Sequence, residues 1–329
     1  MATIHDVAKQ AGVSPATVSR VLNNGEIVSE ETRNRVNQAI ENLGYIPNHF
    51  SQNLRKQESK MLLVIIPDFK NPYIAAVLKG MDEAATSLGY QLLVTPTYMK
   101  VDRERKILKL LSNKRVDGVI FAAPVIDQEE MQRLSKNHPA VQCCEYIPGL
   151  KVSHVSINNF SAVYQVMSYF INKGHKRIAL LSVENKNVST LEREAAYFKA
   201  LEDFGLEVDN YLVRRGDDYT FENGIALTQE LLITSNPPTA VIGLSDSLAC
   251  GCMRALSEAG ISVPDQVEIM GFDNIYIADM VNPPLSTVAQ PMQAIGKTAV
   301  NILVSQILGK NDFQEVFLDH EIILRKTTK

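Results

Sequence analysis

The chain has no excess of basic residues. Its 329 residues carry 33 lysines and arginines against 37 aspartates and glutamates, a formal charge of −4. A broad, sequence-independent grip on polyanions or on an acidic membrane surface is therefore not expected. No apolar run is long enough to cross a bilayer, so no membrane partner is expected. Cysteine is scarce, limited to Cys143, Cys144, Cys250 and Cys252. Neighbours on a strand point to opposite faces and positions two apart on a helix diverge, so neither pair is expected to converge. Without a histidine cluster they make no metal site, and they read as small buried hydrophobes in a reducing cytoplasm. The first strand runs into Pro67-Asp68-Phe69-Lys70-Asn71-Pro72, which is no glycine-rich phosphate loop, and no Gly-x-Ser-x-Gly elbow occurs. Neither catalysis nor a cofactor is expected. The start of the chain has no charged-then-apolar leader, which reads as cytoplasmic.

The N-terminal segment is rich in helix punctuation. Val7, Ala8 and Ala11 recur at helical spacing over residues 4–11, and Gly12 suits the positive φ that ends such a helix. Ser14 is a good N-cap, and Pro15 sits at the first helical position, where its missing N–H costs nothing. A second helix then runs to about residue 22, with Val18, Val21 and Leu22 on its apolar side. Two short helices across a glycine turn read as a helix-turn-helix, with Ala8 small enough for the second helix to cross. Ser14, Pro15, Ala16, Thr17, Ser19 and Arg20 remain as the face for base edges in a major groove of double-stranded DNA. Arg20 is the side chain among them able to pair bidentately with guanine. A third helix is expected after Ser29, with Val36, Ala39, Ile40 and Leu43 as its apolar stripe and Gly44 at its end.

Charge alone does not point to DNA. Residues 1–58 hold six positive groups (Lys9, Arg20, Arg33, Arg35, Arg55, Lys56) and six negative ones (Asp6, Glu26, Glu30, Glu31, Glu41, Glu58). Specificity must then come from a patterned face and from dimerisation rather than from bulk phosphate attraction.

Further runs carry a resemblance that spans nearly the whole chain. They are Val28-Ser29-Glu30-Glu31-Thr32-Arg33, Gly44-Tyr45-Ile46-Pro47-Asn48, Lys114-Arg115-Val116-Asp117-Gly118, Gly174-His175-Lys176-Arg177-Ile178, Gly271-Phe272-Asp273-Asn274 and Pro283-Pro284-Leu285-Ser286-Thr287-Val288. With the N-terminal run, in this order and spacing, the chain resembles the lactose/galactose-repressor (LacI/GalR) family. The resemblance implies a hinge after the third helix that becomes helical on operator DNA and enters its minor groove. Asn48, Ser51, Leu54 and Arg55 fall in that hinge, and Leu54 matches the leucine wedged between base pairs. An apolar wedge of this kind unstacks one step and kinks the duplex. A plain linker helix, with Leu54 packed on the core, is the alternative. The division expected is a headpiece over 1–46, a hinge over 47–58 and a core over 59–329.

From residue 59 the pattern is βα. Strands are expected at 61–67, 90–95, 116–123 and 140–144, and in a second series at 177–182, 240–244 and 267–271, with helices between them. This alternation predicts two doubly wound parallel-sheet subdomains of periplasmic-binding-protein type, with a ligand cleft at the carboxyl ends of the strands. The resemblance implies crossovers near residues 158, 290 and 320, so that the first subdomain takes about 59–157 and 291–319 and the second about 158–290 and 320–329.

Loops after the strands supply the candidate effector residues: Asp68, Tyr73, Glu145, Ser189, Arg193, Tyr219, Asp246 and Asp273. Matched to the family, Arg193 and Asp246 hydrogen-bond an effector and Tyr219 stacks on its ring. Glu145 stands where the family usually has aspartate. For Arg193 a surface salt bridge with neighbours such as Glu192 or Glu194 is the alternative, and for Asp246 an N-cap. An aromatic, a guanidinium and carboxylates suit a polyhydroxylated ligand, which means a sugar or sugar phosphate first and a nucleoside second. Inducer and corepressor action both stay open. So do a sugar-binding protein without a regulatory role and a global regulator working with a phosphoprotein corepressor. No heptad repeat follows the final 321–326 segment, so a homodimer rather than a coiled-coil tetramer is expected.

Overall fold

The structure, a computed structural model, describes residues 2–22, 28–45, 58–234, 236–310 and 313–329. The chain divides into two compact units, Met1–Ser59 and Lys60–Lys329.

In the first unit α1 spans Ile4–Ala11, α2 Pro15–Leu22 and α3 Glu30–Leu43. Each start has a local cause. Thr3 and Asp6 form a reciprocal capping box at α1, with the Thr3 N–H donating to Asp6 Oδ2 at 2.8 Å. The Thr17 N–H donates to Ser14 Oγ at 3.1 Å at the start of α2, and Ser29 Oγ accepts from Thr32 N–H at α3. Gly12 closes α1 at φ 66°, a conformation that costs a non-glycine residue about 1–2 kcal/mol. The core is thin and made of small side chains: Val7, Ala8, Ala11, Val18, Val21, Val36 and Ala39. Ala8 and Val18 are both buried in it, so the close crossing expected of the two helices is realised.

The second unit contains two six-stranded sheets. In chain order its elements are β1 Met61–Ile66, α4 Pro72–Ser87, β2 Gln91–Pro96, α5 Val101–Ser112, β3 Gly118–Phe121, α6 Gln128–Asn137, β4 Ala140–Cys143, β5 His154–Ile157, α7 Asn159–Asn172, β6 Ile178–Val183, α8 Val188–Asp203, β7 Val213–Gly216, α9 Phe221–Leu232, β8 Ala240–Gly243, α10 Asp246–Glu258, β9 Glu268–Asp273, α11 Ile277–Met280, β10 Ser286–Ala289, α12 Met292–Ile307, β11 Glu315–Leu318 and β12 Glu321–Ile323. The first sheet has the order β11-β5-β4-β3-β1-β2 and is parallel throughout. The second has the order β12-β10-β9-β8-β6-β7, parallel except where β12 runs against β10. Central strands are buried on both faces, β1 almost throughout, as a continuous apolar run requires.

The chain changes lobe between β5 and α7, between β10 and α12, and between β11 and β12. Helix α12 packs on α4 through two glycines. A Cβ on Gly80 would stand 2.1 Å from the Gln293 carbonyl oxygen, and one on Gly296 would stand 2.1 Å from that of Val77. The two backbones touch where side chains are absent, and this seats the returning helix on the first lobe. Strands β5, β7, β10, β11 and β12 are not among those expected from the sequence. They are short and flank the apolar centres of their sheets, and β5 buries His154 and Ser156 among its four residues.

Candidate functional site

The carboxyl ends of β1, β4, β6, β8 and β9 meet at a cleft between the lobes. It encloses about 560 Å³, counting its open mouth, and its walls include Tyr73, Glu145, Ser189, Arg193, Tyr219 and Asp273. The same walls take in Asn71, Cys144, Ser156, Asn159, Leu244, Ser245, Ser247, Ile275 and Gln290.

Arg193 lies on α8 and is 7% exposed. Its Nε donates to Asn159 Oδ1 at 2.9 Å and its Nη1 to the Leu244 carbonyl at 2.9 Å. The guanidinium lies 3.6 Å from the Phe272 ring centroid, so a π-face supports it from one side. The surface salt bridge is replaced by these contacts: Glu194 pairs with Arg215 at 2.7 Å and Glu192 accepts from Tyr146 Oη at 3.0 Å.

Asp273 ends β9 with φ 109°, followed by Asn274 at φ 59°. Such a turn costs of order 1–3 kcal/mol per strained residue and needs support. Asp246 supplies it. One carboxylate oxygen accepts from Ile275 N–H at 2.7 Å, the other from Thr287 Oγ1 at 2.6 Å, and Arg325 holds the Asn274 side chain at 2.8 Å. Asp246 is wholly buried behind the cleft, not on its wall. The N-cap of α10 is Ser245, whose Oγ accepts from Leu248 N–H, and Asp246 is the first helical residue. Asp68 is also off the cleft, since its carboxylate accepts from Lys70 N–H at 2.7 Å in the loop after β1.

Burial pushes the Asp273 carboxyl up to about 7, against the pull of Arg193 and of the Gln290 amide. Burial likewise raises Glu145, opposed by hydrogen bonds from Ser189 and by Arg193. Glu145 reaches across to the other lobe, where the Ser189 N–H donates to it at 3.1 Å and the Ser189 hydroxyl donates to its other oxygen. Helix α8 has no side-chain cap of its own from Asn187, so this carboxylate serves as the anion at its N-terminus. Tyr219 and Thr190 share a hydroxyl–hydroxyl hydrogen bond. Gln290, at the crossover after β10, joins the lobes: its oxygen accepts from Tyr73 Oη at 3.2 Å and its amide donates to Asp273 Oδ1 at 2.7 Å.

Sequence reasoning missed Asn159, Ser156 and Gln290. Asn159 and Gln290 sit beside two of the expected crossovers, and that position was the one available signal. All four cysteines are buried as expected, but the divergence expected of Cys143 and Cys144 is not found. Cys144 leaves β4 at φ 71°, and its Sγ lies 3.6 Å from that of Cys143 rather than on the opposite face.

At α2 and its cap, Ser14, Ala16 and Arg20 are exposed, and Pro15, Thr17 and Ser19 partly so. Ser14 Oγ is already engaged as the cap and lies 2.9 Å from Thr17 Oγ1. The hinge positions Asn48, Ser51, Leu54 and Arg55 lie outside the described residues. Among the described residues no helix is long and apolar enough to cross a membrane.

Comparison with known proteins accounts for both units. The family model for bacterial regulatory proteins, lacI family, matches residues 3–48, and that for a periplasmic binding protein-like domain matches residues 167–328. The HTH-type transcriptional repressor CytR of Escherichia coli strain K12 is 34% identical over 330 residues, covering 100% of this chain and 96% of that protein. The lac repressor dimer bound to operator and the anti-inducer ONPF is 28% identical with a TM-score of 0.91, covering 99% of each chain. A complex of the transcriptional regulator CelR with cellobiose is 29% identical with a TM-score of 0.75, covering 99% of this chain and 100% of the other.

Proposed function

The chain belongs to the LacI family of bacterial regulatory proteins, and on that premise we propose a homodimeric repressor whose hold on operator DNA is set by a small polyhydroxylated effector in the cleft. One observation carries this reading: Glu145, Arg193, Tyr219 and Asp273 converge on one cleft between two sheets. The same chain bears a capped helix-turn-helix. The cleft offers a fixed guanidinium, two carboxyls and an aromatic, which suit paired hydroxyls and the C–H face of a ring. A sugar is favoured, as the cellobiose bound by CelR supports. A nucleoside is the second reading. The ligand is held and released without turnover, and the work is done in the cytoplasm where the operator is.

Ser14, Pro15, Ala16, Thr17, Ser19 and Arg20 face the major groove, with residues 1–46 as headpiece, 47–58 as hinge and 59–329 as core. The hinge residues Asn48, Ser51, Leu54 and Arg55 take the minor groove, with Leu54 as the wedge. Effector binding shifts the balance between two arrangements of the lobes. That moves the paired hinges and spoils or improves half-site spacing. A gel-shift titration on DNA upstream of the gene's neighbours, with and without sugars and nucleosides, tests this. Release by a ligand marks an inducer and tightening a corepressor. Failure to bind every fragment at low salt overturns the proposal. Leu54→Ala is expected to lower operator affinity while effector binding persists, and unchanged affinity removes the wedge role.

A further inference from the structure

Cys143 and Cys144 stand together for a local reason. The Glu145 N–H donates to the Cys143 carbonyl at 2.9 Å, and the residue between them, Cys144, has φ 71°. An i→i+2 hydrogen bond around a positive φ is the rare, strained kind of γ-turn. It swings the second side chain off the alternation of the strand and brings the two sulfurs within 3.6 Å. The Ser156 hydroxyl holds the turn by donating to the Cys144 carbonyl at 3.2 Å. Cys143 is fully buried, whereas Cys144 lines the cleft. The other pair, Cys250 and Cys252, is buried in α10. Two sulfurs do not complete a metal site, and among the described residues no group of three or more His, Cys, Asp or Glu side chains is placed to hold one.

We propose that Cys143 and Cys144 form a vicinal dithiol that closes reversibly to a disulfide by exchange with low-molecular-weight disulfides entering the cleft, and that this closure disturbs the Glu145–Ser189 contact. The shared hydrogen bond with Cys144, and then burial, hold the Cys143 thiol well above its ordinary range, so the first attack falls to the sulfur on the cleft wall. Cys144 sulfur, losing its proton, attacks one sulfur of the small disulfide. The reagent's S–S bond breaks, one thiol leaves carrying that proton, and a mixed disulfide remains. Cys143 sulfur then attacks Cys144 sulfur and expels the second thiol with the second proton. Two electrons have passed from the protein sulfurs to the reagent. Consecutive Cα atoms stand about 3.8 Å apart, short of the roughly 4.4–6.8 Å of ordinary disulfides. The closed ring is therefore strained, and strained disulfides are the easily reduced ones. Closing it must rotate the turn that carries Glu145, and with it the carboxylate at the N-terminus of α8.

The test uses the full chain carrying Cys250→Ala and Cys252→Ala, incubated with 2-hydroxyethyl disulfide, then denatured and alkylated. Intact mass is expected to show loss of two hydrogens, no retained adduct and no alkylation, all reversed by dithiothreitol. Cys143→Ser in the same background is expected to stop at the mixed disulfide on Cys144. If those variants do not fold, peptide mapping of the unsubstituted protein gives the same reading. Two alkylatable thiols after treatment, or covalent dimers in place of the internal bond, overturn the dithiol. Hydrogen exchange reads the coupling: the Ser189 amide is expected to exchange faster in the oxidised form, and unchanged exchange overturns that clause.

Discussion

The two walls of the cleft are built differently. On the second lobe, the guanidinium of Arg193 is tied to Asn159, to the Leu244 carbonyl and to the Phe272 face, and the Asp273 turn is propped by Asp246. On the first lobe, Glu145 and Tyr73 reach their partners across the gap, on Ser189 and Gln290. One wall is held in shape by its own lobe, and the other is shaped by contacts that a ligand entering the gap would exchange. On the function proposed above, occupancy of the cleft would act on relative lobe position through this asymmetry. The backbone of the first-lobe wall is held by its own lobe, as by Ser156 at the Cys144 carbonyl, and only its side chains Glu145 and Tyr73 bond across the gap.

The largest effect is expected from breaking the rigid wall at Arg193. Arg193→Ala leaves Asn159 Oδ1 and the Leu244 carbonyl buried without donors, and each lost bond to a charged group is worth about 1.5–3 kcal/mol. A drop of several kcal/mol in urea-unfolding stability is expected. Effector binding by calorimetry should fall at least about a hundredfold, since 1.4 kcal/mol is roughly a factor of ten. Retained affinity would show that the guanidinium is structural only.

Next comes Asp246→Ala, which never touches the cleft. It orphans the buried Ile275 N–H, at about 1–3 kcal/mol for an unsatisfied group, and removes the short bond of the Thr287 hydroxyl, which keeps the Asn274 N–H and the Val288 carbonyl as partners. Urea unfolding is expected to show that loss, with effector affinity weakened through the slackened Asp273 turn. Full stability would mean that the turn holds itself.

A smaller effect is expected from pH. The Asp273 carboxyl, raised to about 7, binds its proton more tightly in the folded chain than in the unfolded one, where aspartate titrates near about 3.9. Its stabilisation is thus full below the unfolded value and is lost as pH rises through about 7. Glu104, raised by burial to about 7 beneath the Val125 and Ile126 amides that donate to it, acts with the same sign. Urea midpoints are expected to fall from about pH 5 to about pH 8, and Asp273→Asn to flatten part of that slope. An unchanged slope would place the titration elsewhere.

The smallest stability change is expected at the yielding wall. Glu145→Gln keeps the length and an acceptor for Ser189, and its partner lies across a gap, so less than about 1 kcal/mol is expected by urea unfolding. Hydrogen exchange at the first turn of α8 should rise nonetheless. A destabilisation as large as that of Asp246→Ala would show that both walls are braced alike and would end the comparison.

Legibility follows the range of the forces involved. The headpiece was readable almost residue by residue, because Ser14, Gly12, Ser29 and Gly44 act within one helical turn of where they stand. The buried strands announced themselves as apolar runs such as Leu62 to Ile66. β7 and β5 did not, the first carrying Arg214 and Arg215 and the second burying His154, whose ring stacks on Tyr146 at 4.0 Å, a partner that composition does not reveal. In the cleft, the loop residues were found by their place after strands. Position alone could not tell that Asp246 faces inward to Ile275 and Thr287 while Asp273, on the next strand, faces the gap.

Chain-local chemistry thus settled the helix ends, the strand-helix alternation and the family motifs, since caps, glycines and apolar periodicity act between near neighbours. Tertiary structure decided which carboxylate lines the cleft and which props its turn from behind, that Glu145 caps a helix of the opposite lobe, and that Cys144 turns back upon Cys143. Each of these depends on residues brought within hydrogen-bonding or contact distance by packing, or on one strained backbone angle, and a linear pattern encodes neither.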